Sequence, residues 1–166
     1  MDANKTPAEL LQCWEPNSPC IKRNLFFYFL EEEVARAFRY QFFVALLLFQ
    51  LQKNYNSLSA DLADHLSRHL RKSDYVGTVR RGTLGTILLN SKVEASLKVM
   101  ERLSSDFVSS ITKTHPQLGL KASCTVYPTE ANTLSSLYDT ALKRLRAQNN
   151  SPLRLKTNCA RKHLAL

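Results

Sequence analysis

The sequence predicts an α+β domain, an α/β sandwich, from three observations. A continuous apolar run at 42–49 is typical of a strand buried on both faces of a sheet. Two β-rich segments around Gly82 predict a hairpin, and segments with helical periodicity flank and separate these strands. With right-handed crossovers, the order α-β-α-β-β-α-β-α predicts a βαββαβ core with a mostly antiparallel sheet and helices packed on it.

The helices are predicted by apolar residues that recur at three- and four-residue steps. Four segments show this stripe: 22–40, 58–70, 93–111 and 134–145. Ser73 and Asp74 end the second helix, and Thr133 or Asn132 can cap the last one. A shorter stripe at 7–11 predicts a small amphipathic helix ahead of the domain.

The strands are predicted by runs of apolar and β-branched residues. The run 42–49 is the expected central strand. Segments 75–79 and 84–89 are expected to pair as a hairpin because Gly82 can adopt the positive φ of a turn. Residues 118–127 are expected to form the returning strand, which ends at Pro128.

Breakers divide the chain into three parts. We expect an N-terminal arm over 1–20, a domain over 21–147 and a basic tail over 148–166, because Pro- and Asn-rich stretches lie near both boundaries. The net charge of +9, from 23 Lys and Arg against 14 Asp and Glu, favours anionic partners. The tail, which holds no acidic residue, is expected to be mobile or bound to a partner.

Cysteine usage and hydropathy predict the compartment. The four cysteines have no CxxC spacing, so reduced intracellular thiols are favoured over a zinc site or a disulfide framework. No signal peptide is apparent, and the longest apolar run is too short to span a bilayer. We therefore expect a soluble cytoplasmic protein without a membrane span.

Several segments resemble one family in their order and spacing. A helix end and strand start of this family are similar to Leu66-(x)4-Arg71-(x)2-Asp74-Tyr75-Val76, and the strand after its signature loop is similar to Ile87-Leu88-Leu89. A "Y-P" strand end is similar to Val126-Tyr127-Pro128, and the final helix is similar to Leu137-Tyr138-Asp139-Thr140-Ala141-Leu142. Together they resemble the GGDEF-domain diguanylate cyclases, which make cyclic di-GMP from two GTP on a palm-like fold. The resemblance covers residues 15–146.

The signature loop departs from the family pattern. Where the family has Gly-Gly-Asp-Glu-Phe, this chain has Arg80-Arg81-Gly82-Thr83-Leu84, so two long cations replace the glycines that let GTP approach. Thr83 and Gln50 stand where the family has metal-binding carboxylates, and neither supplies the ionised oxygen that Mg²⁺ requires. The segment with the family's guanine-reading Asn is largely missing after Gln52. The resemblance thus implies a degenerate domain that is not an enzyme, with no cofactor and no metal.

The family's product-inhibition site is retained. Arg71 and Asp74 match its Arg-x-x-Asp pattern, and Arg102 matches its second arginine. A guanidinium can donate to guanine O6 and N7, a carboxylate can accept from the guanine N1–H and N2–H₂ edge, and a second guanidinium can meet phosphate. The alternative is that Arg71 complements the helix dipole and Asp74 forms an ordinary turn.

We therefore expect a receptor in which Arg71, Asp74 and Arg102 bind cyclic di-GMP. It would relay the signal to a protein partner through the arm or the basic tail. Ligand-linked homodimerisation is a further implication of the resemblance. The alternative is a nucleotide-independent protein-interaction module on the same fold. Nucleic-acid binding is disfavoured because only net charge supports it.

Other site classes have weak support. His65 and His69 lie one helical turn apart, but no third ligand completes a metal site, so solvated helix residues are the expectation. The chain contains no hydrolase signature. The aromatic residues fall mainly in the apolar stripes, so they are expected in the core rather than on a base-stacking surface.

Overall fold

The helices and strands occur along the chain in the predicted order, with one additional 3₁₀ helix. The computed structural model describes Glu15 and residues 18–148. The predicted helix at 7–11 and nearly all of the basic tail lie outside these residues. The elements are α1 Arg23–Tyr40, β1 Val44–Leu51, a 3₁₀ helix Lys53–Leu58, α2 Ser59–His69, β2 Tyr75–Arg80, β3 Thr83–Leu89, α3 Val93–Ile111, β4 Leu120–Tyr127 and α4 Leu134–Arg146.

The four strands form one antiparallel sheet in the order β2-β3-β1-β4. At one end of the sheet, Val44 lies between Leu89 and Tyr127. Asp74 immediately precedes β2 at this end, which we call the Asp74 end. Gln50 pairs with Thr83 at the opposite end, beside the β2–β3 turn, and this is the hairpin end. The predicted α+β fold is confirmed.

A hydrophobic core lies on each face of the sheet. Helices α2 and α3 cover one face and α1 and α4 cover the other. Residues 44–49 of β1 are fully buried, as predicted for a central strand covered on both sides. Both faces of this strand therefore contribute to stability, at about 25 cal/mol per Å² of apolar surface removed from water.

The segment before α1 joins the sheet at its β2 edge. The Ile21 N–H donates to the Val76 carbonyl at 2.9 Å, and the Thr78 N–H donates to the Ile21 carbonyl at 2.8 Å. Cys20 is buried beside Thr78, and burial raises the pKa of its thiol to about 11. This short parallel contact occupies part of an edge that would otherwise expose unpaired backbone groups.

Local sequence accounts for the start of α4 and for the hairpin turn. Thr133 caps α4 with a reciprocal capping box to Ser136, one of the two predicted caps. Gly82 has φ +70° in the hairpin turn, as its predicted role requires. Within the described residues, no helix combines the length and apolar character needed to cross a membrane.

Candidate ligand site

The loop between α2 and β2 presents two of the three predicted site residues. The Asp74 N–H donates to the Arg71 carbonyl at 3.0 Å, and the Arg71 N–H donates to Asp74 Oδ2 at 3.2 Å. The four residues 71–74 therefore form a closed turn in which the carboxylate satisfies a backbone donor. The Arg71 side chain is exposed on this turn.

The second oxygen of Asp74 is held by the neighbouring strand. The Leu89 N–H, at the end of β3, donates to Asp74 Oδ1 at 3.3 Å. Asp74 is partly exposed, and an ionised carboxylate has about four acceptor positions, so two backbone donors leave room for more. The sequence-based alternative, in which Asp74 shapes the turn, therefore describes part of its role without excluding a ligand.

Arg102 reaches this corner from α3. Its Nη2 donates to the carbonyl of His69, the last residue of α2, at 3.3 Å. This carbonyl is one of those that a helix C-terminus leaves without an intrahelical donor. Arg102 is exposed and touches the chain two residues before Arg71. The structure thus places Arg102 against the end of α2, two residues before the turn that holds Arg71 and Asp74.

Two histidines border the arginines. The rings of His65 and His69 lie 4.3 Å apart, and His65 Nε2 lies 3.1 Å from the Leu103 carbonyl. Burial and then the neighbouring His69 lower the pKa of His65. His69 is exposed, as predicted, but His65 is half-buried against the Phe107 ring because α3 packs over it.

A buried carboxylate lies on the other side of β2. Glu33 of α1 is only 3% exposed. Its Oε1 accepts from Tyr75 Oη at 3.3 Å and from Arg36 Nη1 at 2.9 Å, whereas Oε2 has no hydrogen-bond partner among the described residues. Burial, followed by the Glu33 charge, raises the pKa of Tyr75. Sequence reasoning missed this cluster, although Glu33 stands inside the apolar stripe of α1.

At the hairpin end, neutral side chains stand at the two positions, Gln50 and Thr83, where the family that the sequence resembles has metal-binding carboxylates. Gln50 and Thr83 are cross-strand partners, and the buried Thr83 hydroxyl accepts from Arg80 Nε at 3.1 Å. A groove of about 300 Å³ adjoins the turn. Its lining includes Ser59, Ala63, Thr78, Arg80, Arg81 and Gly82.

The segment between β1 and α2 is short. Where the sequence suggested that most of a family segment is missing, residues 53–58 form the 3₁₀ helix. Asn56 in this helix lies beside Gly82, and a Cβ at position 82 would overlap the Asn56 side-chain oxygen, so that side chain would have to move. Across Glu15 and 18–148, no group of three or more His, Cys, Asp or Glu side chains could hold a metal ion.

No family model and no curated protein sequence matches the chain. Solved structures do resemble it. A DGC protein from Thermotoga maritima has a TM-score of 0.68 at 17% identity, covering 79% of this chain and 99% of its own. The GGDEF domain of DgcB from Caulobacter crescentus, in complex with c-di-GMP, has a TM-score of 0.69 at 11% identity, with coverages of 87% and 91%.

A third similar structure is the diguanylate cyclase SiaD from Pseudomonas aeruginosa in complex with its activator SiaC. Its TM-score is 0.67 at 16% identity, and the match covers 82% of this chain and 59% of SiaD. At such identities the likeness shows the fold alone. The chain therefore has the fold of GGDEF domains, and its activity must be argued from its own residues.

Proposed function

We propose that this protein is a non-catalytic receptor for cyclic di-GMP that binds the dinucleotide with Arg71, Asp74 and Arg102. The observation that carries this proposal is that Arg102 contacts the end of α2 two residues before the Arg71–Asp74 turn, although 31 residues separate Arg71 from Arg102 in the sequence. The complex of a similar GGDEF domain with c-di-GMP supports the choice of ligand.

The chemistry of the three residues suits a guanine nucleotide. Arg71 is exposed and can donate two parallel hydrogen bonds to guanine O6 and N7. Asp74 can accept from the N1–H and N2–H₂ groups with the acceptor positions that Arg71 N–H and Leu89 N–H leave open. Arg102, held by the His69 carbonyl, can donate its remaining N–H groups to a phosphate.

The hairpin end supports the absence of cyclase activity. Two-metal catalysis needs ionised oxygen ligands, and Gln50 and Thr83 are neutral cross-strand partners at this end. Arg80 is drawn to Thr83 and lines the groove with Arg81 where a glycine pair would leave space for a nucleotide. We expect no cyclic di-GMP from GTP and Mg²⁺, measured by chromatography of the reaction mixture.

Isothermal titration calorimetry with cyclic di-GMP tests the receptor. Each of Arg71→Ala, Arg102→Ala and Asp74→Asn is expected to weaken binding at least about tenfold, because each removes charge-assisted hydrogen bonds. Arg81→Ala is the matched control, since it removes the same charge at the opposite end of the sheet. Its affinity is expected to equal that of the wild type.

Two results would overturn this proposal. One is no heat of binding for a folded wild-type protein at high ligand concentration. The other is binding that Arg81→Ala abolishes and Arg71→Ala leaves intact, which would place the ligand at the hairpin groove. Light scattering during the same titration tests whether the ligand also pairs two copies of the chain.

A nucleotide-independent interaction module is the second candidate. It is favoured by the large hydrophobic side chains that α1 leaves exposed, since Phe38 is 76% and Tyr40 is 72% exposed. Exposed aromatic residues are typical anchors of protein interfaces. This module would bind its partner equally well with and without cyclic di-GMP, whereas a receptor that relays the signal to a partner would not. The arm and the basic tail remain the proposed contacts for such a relay.

A further inference from the structure

Helix α1 exposes large aromatic side chains to solvent. Among the described residues, three large hydrophobic side chains are exposed, those of Tyr28, Phe38 and Tyr40, and all three belong to α1. Contact of apolar surface with water is unfavourable by about 25 cal/mol per Å². Exposed aromatic residues gathered on one helix are typical of a surface that binds a protein.

The inner face of α1 is fixed on the sheet, so its outward face is well defined. The buried residues of the helix are Phe26, Leu30, Glu33 and Ala37. Successive residues of an α-helix are turned by about 100°, which places Ala35 almost opposite the middle of this buried group. Ala35 is exposed. It therefore lies at the centre of the outward face.

Charges of opposite sign lie on the two halves of this outward face. Glu31 and Glu32 precede Ala35, Arg39 follows it by one helical turn, and all three charged side chains are exposed. None of the ion pairs among the described residues involves them. The Arg39 guanidinium lies 5.9 Å from the centre of the exposed Tyr40 ring. The face is thus acidic before Ala35 and basic after it.

We propose that α1 is a self-association surface and that two copies of the chain pack their α1 helices antiparallel, with the crossing point at Ala35. A two-fold axis relates the copies, so that Glu32 of each copy meets Arg39 of the other and the pair forms twice. The small side chain of Ala35 allows the helix axes to approach closely. Phe38 of each copy packs on the other helix and leaves the solvent.

The charge pattern decides both the occupant of the face and its direction. A reversed second copy places its basic half on the acidic half of the first, so the face is complementary to itself. Parallel packing would place Glu32 on Glu32 and Arg39 on Arg39, and like charges in contact disfavour association. A nucleic acid or an anionic membrane would be repelled by Glu31 and Glu32.

This self-association needs no ligand. Helices α1 and α4 cover one face of the sheet. The other face is covered by α2, which precedes the Arg71–Asp74 turn, and by α3, which carries Arg102. The inference is therefore independent of the proposed function, and it differs from a pairing of two copies by cyclic di-GMP.

Sedimentation velocity of the full chain without cyclic di-GMP tests the surface at concentrations from about 5 µM to about 1 mM. A single pair of helices is a small interface, so we expect a dimer with a dissociation constant on the order of 10 to 100 µM. Glu32→Arg and Arg39→Glu are each expected to weaken it about tenfold, because each turns two attractive contacts into repulsive ones. The double variant restores the pairs with their signs exchanged and should associate within about threefold of the wild type.

Two further variants separate the surface from general effects of charge. Glu101→Arg is the matched control, since it reverses an exposed charge on α3, on the other side of the sheet. It should leave the dissociation constant unchanged. Phe38→Ala removes apolar area from the contact and should weaken the dimer at least about fivefold.

Several outcomes would overturn the self-association. One is a wild type that stays monomeric up to about 1 mM. Others are a dimer that both charge reversals leave intact and a double variant that is as weak as the single ones. Dimers that form only after cyclic di-GMP is added would also overturn it, because the ligand would then join the copies. Thermal melting shows that each variant is folded, and none of these measurements bears on ligand affinity.

Discussion

The carboxylate of Asp74, just before β2, accepts a hydrogen bond from the backbone of Leu89 in the neighbouring strand β3. Asp74 immediately precedes β2, Leu89 ends β3, and the Leu89 N–H donates to Asp74 Oδ1 at 3.3 Å. The same side chain closes the turn after α2 through the Arg71 N–H. Asp74 therefore shapes the corner that presents Arg71, and an alanine there would disturb structure and ligand contacts together.

Replacing Asp74 by asparagine separates these two roles. Asp74→Asn keeps one oxygen, which can accept from the Leu89 N–H or the Arg71 N–H but not from both, so it is expected to lose only part of the about 1 to 2 kcal/mol that Asp74→Ala should lose. Both variants should lose cyclic di-GMP binding. Urea denaturation and calorimetry measure the two effects, and equal stability of both variants would contradict the structural role.

Phe26 packs over a pair of facing glycines. Gly77 and Gly85 are cross-strand partners in β2 and β3, and a Cβ on either would overlap the Phe26 ring. Gly85→Ala is therefore expected to cost about 1 to 3 kcal/mol through overpacking. In a Phe26→Leu background the same change should cost less, because the ring is gone. Thermal denaturation of the wild type, Gly85→Ala, Phe26→Leu and the double variant measures both costs. Equal costs of Gly85→Ala in the two backgrounds would contradict the close approach of Phe26 to residue 85.

A salt bridge secures the outer edge of the sheet. Arg144 Nη2 lies 2.8 Å from Glu130 Oε1, with side-chain exposures of 21% and 15%. Arg144 also donates to the Cys124 carbonyl, and Glu130 Oε2 accepts from the Val126 N–H. These contacts satisfy backbone groups of β4 that its single neighbouring strand leaves open.

Loss of Arg144 should therefore be costly. Arg144→Met is expected to lower the free energy of unfolding by about 2 to 3 kcal/mol, because it leaves the Glu130 charge poorly compensated. Arg68→Ala is the control, since its pair with Asp64 is exposed and should be worth no more than about 0.5 kcal/mol. Chemical denaturation compares them, and similar losses for both variants would show that burial does not decide the value of the pair.

The buried thiol of Cys20 predicts a loss of stability at alkaline pH. Burial raises the pKa of the Cys20 thiol in the folded protein to about 11, from its ordinary value of 9.0. Between these values the unfolded chain releases a proton that the folded chain retains, so stability falls by up to about 1.4 kcal/mol per pH unit. Cys20→Ala should show a smaller decline over this range in urea denaturation. Parallel pH profiles would contradict the assignment.

Local patterns sufficed for most of the fold. The stripes of α1 and α3 and the hairpin around Gly82 are patterns of neighbouring residues, and the structure confirms them within a few residues. The central strand spans Val44–Leu51 rather than 42–49, and the returning strand begins at Leu120 rather than at residue 118. The boundaries of the arm and the tail remain predictions, since they lie at or beyond the limits of the described residues.

Side-chain roles were less predictable than elements. Glu33 is charged yet buried, because Tyr75 and Arg36 supply donors to one of its oxygens. The sequence predicted that His65 is a solvated helix residue, but α3 packs against it through the Phe107 ring and leaves it half-buried. Burial of a side chain depends on which helix lies opposite, and a stripe identifies the buried face of a helix without identifying its neighbour.

The sequence by itself determined the order of the elements, the neutral residues Gln50 and Thr83, and the Arg71–Asp74 turn, because each of these depends on residue type and short spacing. Only the tertiary structure decided that Arg102 meets His69, 33 residues away, and that Asp74 is bonded to Leu89. Such contacts depend on the packing of α3 against α2 and the pairing of β2 with β3. They arise from burial of apolar surface throughout the domain, and no local segment encodes them.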